Sequence, residues 1–267
     1  MVDLLKPLPP ALLNLLCNPY NGEPLQLEGD ALVGASSGQR FPIVEGIPSF
    51  VVGGRTPRRN RFWRWFYDSI AFTYDPVLAL GDRLKLAAEE EVRREYVAEL
   101  AVRPGDKVLE TAVGTAANLQ HLPAQGEYYG LDISFHMLRQ ARRNLARWGR
   151  PARLVQADVQ YLPFRDGTFD LVLQMGALQF LADPFLAVRE MARVARMGAT
   201  IHVLDEVPSL RRLFKRLPAH ADQVRDRQTA LETLPRLVPR AYRANARVEV
   251  VAGGQFYAMQ YTVNSRQ

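Results

Sequence analysis

Three acidic residues occur where the strands of a parallel sheet would end. Glu110 closes KVLE, Asp132 closes YYGLD and Asp158 closes LVQAD. The carboxyl ends of parallel strands meet along one edge of an open sheet, where such sheets bind ligands, so we expect the three carboxylates to face one crevice. Glu110 suits a ligand with a cationic amine, and Asp132, 22 residues further on, suits the two hydroxyls of a ribose.

A turn of small residues follows the first of these acids. The segment VLETAVGTAANL at 108–119 carries Ala112, Gly114 and Ala116 and is predicted to open a helix. Small side chains let a ligand approach the backbone, and the first N–H groups of a helix point at it. The methyl groups of Ala112 and Ala116 narrow that space and disfavour positive φ. The turn is therefore the expected cradle for the ligand, with a restriction that glycines would not impose.

These side chains need a frame of alternating strands and helices. Apolar runs predict five strands, at 107–113, 127–133, 153–159, 169–176 and 199–207. Helical periodicity predicts helices at 83–101, 134–149 and 184–196. The last segments, VEVVAGG and FYAMQYTV, predict an antiparallel hairpin joined through Gly253-Gly254. We therefore predict an α/β fold with a doubly wound, seven-stranded, mostly parallel sheet and an antiparallel carboxyl-terminal hairpin.

The chain is predicted to divide near residue 55. Residues 1–54 hold two basic and five acidic residues, whereas 55–66 hold five Arg and no acid. The intervening VVGGRTPRRN is typical of a linker. We predict a small β module over 1–54 and the main domain over 55–267. The short strands of the module bury little apolar surface, so it needs a metal or a neighbouring domain.

The composition is that of a globular chain, with 267 residues, 48% of them hydrophobic and 23% charged. No apolar run approaches the roughly 18–20 residues that span a bilayer. The amino terminus also lacks the basic start of a signal peptide, and we expect a cytoplasmic protein. Cys17 is the single cysteine, which excludes an intramolecular disulfide and an all-cysteine zinc site.

Arginine is concentrated next to aromatic residues at 58–66, and residues 207–247 hold ten basic against three acidic residues. Such an Arg and aromatic segment is compatible with contact to an anionic membrane surface, with contact to RNA phosphates, or with a helical cap over the active site. The three alternatives stay open, with RNA the least favoured. The sequence gives no oligomeric state.

The motifs, taken in order, resemble those of class I S-adenosylmethionine (SAM)-dependent methyltransferases over roughly residues 67–207. The resemblance comprises the acid with its small-residue turn, the two later strand-end acids and the run LPFRDGTFDLVL at 162–173. YDSIAFTYD at 67–75 resembles the lead-in of the quinone-biosynthesis type of these enzymes. The resemblance implies a Rossmann-like methyltransferase fold with SAM as the cofactor.

The resemblance also implies roles around the cofactor. Glu110 and the turn with Ala112 and Gly114 would hold the methionine moiety, and Asp132 would bind the ribose. Gln174 would follow the cofactor at the end of the fourth strand. The residues that would flank or meet the adenine are Ile133, Met137, Asp158 and Val159.

Candidates for the acceptor side are weaker. Tyr67 and Tyr74 would cover the cofactor or, alternatively, pack their helix onto the sheet. Methyl transfer from a sulfonium needs no metal or nucleophilic residue, and a general base is required only if the acceptor must lose a proton. His121, Gln179 and Glu206 are the candidate catalytic residues.

The amino-terminal segments LLCNPYNGEPLQL and RFPIVEGIPSFVV resemble a short zinc-ribbon-like module found with some methyltransferases. Tyr20 stands where the second cysteine would be, and no cysteine follows. One possible ligand cannot hold tetrahedral zinc. We therefore predict a metal-free module packed on the main domain, and no metal site.

Three functions are compatible with these features. The first is a SAM-dependent methyltransferase with a small, apolar or aromatic, quinone-like acceptor. The second is an rRNA base methyltransferase, which the amino-terminal module favours but the QMGA after the fourth strand does not. The third is an inactive methyltransferase-like binding or scaffold protein, which Ala112 and Ala116 favour. A nicotinamide dehydrogenase is disfavoured because Glu110 would repel a pyrophosphate.

Overall fold

The structure, a computed structural model, describes residues 8–51, 83–206, 234–251 and 256–264. The predicted boundary between 1–54 and 55–267 falls outside these ranges and stays a prediction. Other predicted features outside them are the Arg and aromatic segment 58–66, Tyr67, Tyr74 and the Gly253-Gly254 link.

A seven-stranded sheet organises the main domain. Its strands are β5 (Lys107–Thr111), β6 (Glu127–Asp132), β7 (Ala152–Gln156), β8 (Phe169–Met175), β9 (Ala195–Glu206), β10 (Arg247–Val251) and β11 (Phe256–Thr262). They lie in the order β10-β11-β9-β8-β5-β6-β7. Strands β5 to β9 pair in parallel, whereas β11 pairs antiparallel with both β9 and β10. The predicted fold class is therefore confirmed.

The helices end where the sequence places capping residues. Helix α3 (Phe135–Trp148) begins after Ser134, whose Oγ accepts from Met137 N at 3.2 Å, and ends at Gly149 in the left-handed conformation. Helix α4 (Pro184–Val194) begins after Asp183, whose side chain accepts from Leu186 N. The other helices in the described ranges include α1 (Pro10–Leu13) and α2 (Arg83–Ala98), with 3-10 helices at Leu178–Phe180 and Arg240–Asn245. None of the helices in these ranges is long and apolar enough to cross a membrane.

The period of two along the strands sends side chains to two separate cores. On one face, Val108 and Leu171 pack with Leu138 and Leu145 of α3. The opposite face packs against α4 and the amino-terminal module. Burying one such aliphatic side chain contributes about 1.5–3 kcal/mol. The apolar packing on both faces of the sheet therefore stabilises the strands and fixes the positions of their ends.

The helix predicted directly after β5 is wrong. Residues 114–121 form successive turns, in which Ala116 N donates to Val113 O at 2.9 Å and Leu119 N to Ala116 O at 3.1 Å. A helix requires φ near −63°, whereas Ala116 has φ 67°. The Arg150 guanidinium donates to Leu119 O at 3.1 Å and so satisfies a carbonyl that a helical ladder would otherwise use.

The amino-terminal module is an antiparallel sheet docked on the main domain. Its strands are β1 (Leu25–Glu28), β2 (Ala31–Gly34), β3 (Arg40–Val44) and β4 (Ile47–Pro48). Leu16, Phe41 and Phe50 are fully buried in the same apolar cluster as Tyr129 and Phe169 of the main sheet. The module therefore shares the core of the main domain rather than forming one of its own.

Backbone hydrogen bonds join the module to the outer strand of the large sheet. Ser49 pairs in parallel with Gln156 of β7, and Phe50 N donates to Gln156 O at 2.8 Å. Cys17 N donates to Pro163 O at 3.0 Å. An exposed edge strand is a site for unwanted pairing, and the module covers this end of the sheet.

The Glu23 carboxylate joins two loops of the amino-terminal module. Glu23 accepts from Asn18 Nδ2 at 2.8 Å, from Ser36 N at 2.8 Å and from Ser37 N at 2.9 Å, and the Ser37 hydroxyl donates to it as well. A Cβ on Gly34 would overlap Glu23 Oε1, so a larger residue there would displace the carboxylate from this network. Among the described residues, no group of three or more His, Cys, Asp or Glu is placed to hold a metal.

The Glu23 carboxylate gives the module a pH dependence. The hydrogen bonds from Ser37 and then Asn18 lower the pKa of Glu23 from 4.5 to about 2. Because the folded-state pKa lies below the unfolded one, the stabilisation is complete above pH 4.5 and is lost as pH falls towards 2.

We expect the melting temperature of Glu23→Gln to fall less than that of the wild type between pH 5 and pH 2.5, since an amide does not titrate. The measurement is thermal unfolding across that range. Glu28→Gln, which removes only an exposed pair with Arg40, is the matched control. Equal pH profiles for wild type and Glu23→Gln would contradict the assignment.

Candidate functional site

The sheet brings the three predicted acids to one edge. Glu110 lies opposite Gly130 in the β5–β6 pair, and Asp132 lies opposite Gln156 in the β6–β7 pair. Asp158 follows β7 by two residues. Glu110, Asp132 and Asp158 are 0%, 8% and 7% exposed. The three carboxylates therefore lie at the carboxyl ends of β5, β6 and β7, and their role at a ligand crevice stays a prediction.

The Asp132 carboxylate ties the small-residue turn to the start of α3. Its Oδ2 accepts from Gly114 N at 2.9 Å, and its Oδ1 accepts from Ser134 N at 2.8 Å. Its backbone oxygen accepts from Ala157 N at 3.0 Å. An ionised carboxylate accepts about four hydrogen bonds, which is the chemistry that a pair of ribose hydroxyls requires.

The turn takes the left-handed conformation in spite of its alanines. Ala112, Gly114 and Ala116 have φ of 53°, 53° and 67°. The Ala116 methyl packs into the apolar core under α3, and a Cβ built on Gly114 would meet no atom within 4 Å. The alanines therefore preserve the backbone of a glycine turn, and the space in front of Gly114 is open to a ligand.

Each left-handed alanine costs roughly 1–2 kcal/mol, whereas a glycine costs about 0.5–1 kcal/mol in backbone entropy. We expect Ala112→Gly to raise the free energy of unfolding by about 0.5 kcal/mol. Ala116→Gly should give no gain, because it also removes a buried methyl worth about 0.8 kcal/mol. Urea denaturation of both variants checks this. A destabilised Ala112→Gly would contradict the idea that strain is stored at this position.

Glu110 is fixed by a partner that the sequence analysis missed. Asn118 Nδ2 donates to Glu110 Oε1, and Asn118 is itself buried. Gly130 was also missed: a Cβ there would lie 2.9 Å from Leu154 Cδ2 and 3.1 Å from the Val113 methyls. The only available signal for Gly130 is a glycine inside an apolar strand, which marks close packing of a neighbour.

The residues expected near the adenine surround the two strand ends. The Ile133 carbonyl accepts from Gln156 Nε2 at 3.0 Å, and Met137 is buried on the first turn of α3. Asp158 Oδ1 accepts from Gln160 N at 3.0 Å. Val159 is buried in the apolar cluster shared with the module. These positions are contiguous with Asp132 along the sheet edge.

Gln174 is fully buried at the end of β8. With its amide oriented for the best hydrogen bonding, Oε1 accepts from Ala177 N at 2.8 Å and from Leu178 N at 3.0 Å. Asp205 Oδ2 accepts from Leu178 N at 2.8 Å. Both side chains thus brace the segment that follows β8.

The candidate catalytic residues differ in what the structure describes. His121 lies on the turns after β5, and its Nε2 is 2.7 Å from Glu90 Oε1 on α2. The side chains of Gln179 and Glu206 lie outside the described part, although their backbones follow β8 and end β9. His202 is a core histidine, since burial lowers its pKa to about 4 and Tyr96 OH lies 3.1 Å from its Nδ1.

The chain was compared with protein families and with known proteins, and it is similar to methyltransferases. Residues 109–203 match the family model of a methyltransferase domain. A ubiquinone/menaquinone biosynthesis C-methyltransferase from Stenotrophomonas maltophilia is 36% identical over 145 residues, which are 52% of this chain and 56% of the relative. A demethylmenaquinone methyltransferase from Mycobacterium sp. strain JLS is 35% identical over 155 residues, 57% of this chain and 62% of the relative. The chain thus spans less than two thirds of the length of these curated relatives.

Solved structures agree on the fold. A SAM-dependent methyltransferase from Thermotoga maritima matches with a TM-score of 0.54 and 16% identity, covering 75% of this chain and all of that chain. A Methanococcus maripaludis protein assigned to the same class matches with a TM-score of 0.54 and 17% identity, covering 81% and 99%. The predicted resemblance to methyltransferases is confirmed by the family match and the relatives, and the solved structures confirm the Rossmann-like fold. The zinc-ribbon likeness of the module stays a prediction.

Proposed function

We propose that this chain, which carries a SAM-dependent methyltransferase domain, transfers a methyl group from SAM to a small, apolar or aromatic acceptor of the quinone type. The observation that carries the proposal is the sheet edge at which Glu110, Asp132 and Asp158 converge beside the open space at Gly114. The acceptor class comes from the relatives, which are named for methylation in ubiquinone and menaquinone biosynthesis.

The residues at this edge suit the parts of SAM. Asp132 would accept hydrogen bonds from the ribose hydroxyls, while its existing bonds to Gly114 N and Ser134 N hold the carboxylate in place. Glu110, buried and oriented by Asn118, would pair with the ammonium of the methionine moiety. That moiety would lie along the 112–116 turn. The residues that would line the adenine are Ile133, Met137, Asp158 and Val159.

When bound, SAM supplies a methyl group that is already activated as a sulfonium. The work left to the protein is to hold donor and acceptor in line and to exclude water, and such positioning can account for several kcal/mol of the barrier. The segment after β8, braced by Gln174 and Asp205, would help to shape the acceptor side. Tyr67 and Tyr74 stay proposed as cofactor cover.

A ring-carbon acceptor must lose a proton after methylation, so a general base is expected. His121 is the candidate with a described partner, since its Nε2 lies 2.7 Å from Glu90 Oε1. Gln179 is too weak a base at neutral pH and would instead orient the acceptor by hydrogen bonding. Glu206 stays a candidate base at the end of β9.

The test combines cofactor binding with product formation. SAM and S-adenosylhomocysteine should each raise the melting temperature, and labelled SAM should transfer its methyl group to a demethylmenaquinol or a related naphthoquinol. Label in RNA and not in quinols would support a base methyltransferase. Absence of any shift with either cofactor form would overturn the proposal in favour of a scaffold. Contact of segment 58–66 with a membrane stays a separate prediction.

A further inference from the structure

One buried glutamine links the amino-terminal module to the cofactor edge. Ser49 Oγ donates to Gln156 Oε1 at 2.6 Å, and Gln156 Nε2 donates to the Ile133 carbonyl at 3.0 Å. Ser49 and Gln156 are both buried. Because a backbone carbonyl can only accept, the amide nitrogen must face Ile133, and its oxygen must face the Ser49 hydroxyl. The direction of this hydrogen-bonded relay is therefore fixed.

The relay ends beside the carboxylate that the ribose would contact. Ile133 lies between Asp132 and Ser134 in the chain. The Ser134 N–H donates to Asp132 Oδ1 at 2.8 Å. Ala157, the neighbour of Gln156, donates its N–H to the Asp132 carbonyl at 3.0 Å. The Gln156 side chain and the Ala157 backbone thus contact the Asp132–Ser134 loop at two points.

Contacts with helix α3, which follows the Asp132–Ser134 loop, hold the module at this position. Glu45, at the tip of the β3–β4 hairpin, forms ion pairs with Arg139 and Arg142 of α3. Glu45 has φ 52°, a conformation that costs a non-glycine residue energy and persists where surrounding contacts determine it. Tyr20 OH donates to the Phe50 carbonyl at 3.0 Å, next to Ser49. These contacts leave Ser49 little freedom relative to β7.

We propose that Ser49 and Gln156 are positioning residues, through which the amino-terminal module sets the affinity of the adenosine end of the cofactor site. This inference rests on the proposed function, since it concerns the affinity of that same cofactor site. The module fixes the carbonyl of Ile133 and thereby the loop between Asp132 and α3.

The experiment is titration calorimetry of the full chain with SAM and with methylthioadenosine, which lacks the amino acid part of SAM. Ser49→Ala leaves the buried Gln156 oxygen without its donor. We expect the dissociation constants of both ligands to rise about threefold to tenfold, the range of one neutral hydrogen bond. Gln156→Met should give a similar rise, and Ser49→Thr, which keeps the hydroxyl, should restore affinity to within twofold of wild type.

Ser37→Ala is the matched control, because it also removes one serine hydroxyl from a hydrogen-bond network of the module but lies outside the relay. It should lower the melting temperature without changing either dissociation constant. Equal weakening by Ser37→Ala and Ser49→Ala would overturn the relay and indicate general destabilisation. Unchanged affinity in Ser49→Ala would also overturn it while the proposed function stands. A wild type that binds neither ligand would overturn both.

Discussion

Asp132→Ala is expected to weaken SAM binding by roughly 10²–10⁴-fold. Two hydrogen bonds from ribose hydroxyls to an ionised carboxylate contribute about 1.5–3 kcal/mol each, and each 1.4 kcal/mol is a factor of ten. The variant also removes the acceptors of Gly114 N and Ser134 N, so the turn and the start of α3 lose their common anchor. Calorimetric titration with SAM and S-adenosylhomocysteine measures the loss.

Asp132→Asn separates the two effects. Its single amide oxygen can accept from one of the two N–H groups, which keeps part of the anchor, but the charge is removed. We expect this variant to melt closer to wild type than Asp132→Ala and still to bind SAM at least tenfold more weakly. If Asp132→Ala bound SAM with wild-type affinity, the ribose would have to be placed elsewhere.

Glu110→Gln is expected to affect stability and binding in opposite directions. Glu110 is fully buried, and an amide of the same shape costs less to desolvate than a carboxylate. The ligand-free variant should therefore melt at or above the wild-type temperature. Its SAM affinity should fall by about 10- to 100-fold, because a charged hydrogen bond of about 1.5–3 kcal/mol to the ligand ammonium is weakened.

Glu127→Gln provides the control for Glu110→Gln. Glu127 is the first residue of β6, at the amino-terminal ends of the strands, away from the cofactor edge. Its Oε2 lies 3.5 Å from Arg153 Nη1 in an ion pair. The same substitution there should leave SAM affinity unchanged. A Glu110→Gln protein that loses stability but keeps its affinity would show that Glu110 serves the core and not the ligand.

The sequence predicted the frame well because its signals are local. Apolar runs, Ser134 before α3 and Gly149 after it specify their elements within a few residues. The shared location of the three acids was also predictable, because neighbouring parallel strands place their carboxyl ends at the same edge of the sheet. The helix after β5 failed because the left-handed Ala116 breaks it, and residue type alone favours a helix at alanine.

The contacts between the module and the main domain could not be predicted. Ser49 and Gln156 are 107 positions apart, and no periodicity connects a serine in a short hairpin with a glutamine at a strand end. The Glu23 network was equally hidden, because a glutamate in a polar loop is ordinarily solvated. Its partners Asn18 and Ser37 become visible only when the two loops of the module meet.

A crystal structure of the chain with S-adenosylhomocysteine would show directly whether the cofactor binds at this sheet edge. We expect the ribose hydroxyls within hydrogen-bond distance of the Asp132 carboxylate, the ligand amino group beside Glu110, and the amino acid part of the ligand over Gly114. Clear density for the ligand at any other place, with side chains filling the space before Gly114, would contradict this placement of the cofactor.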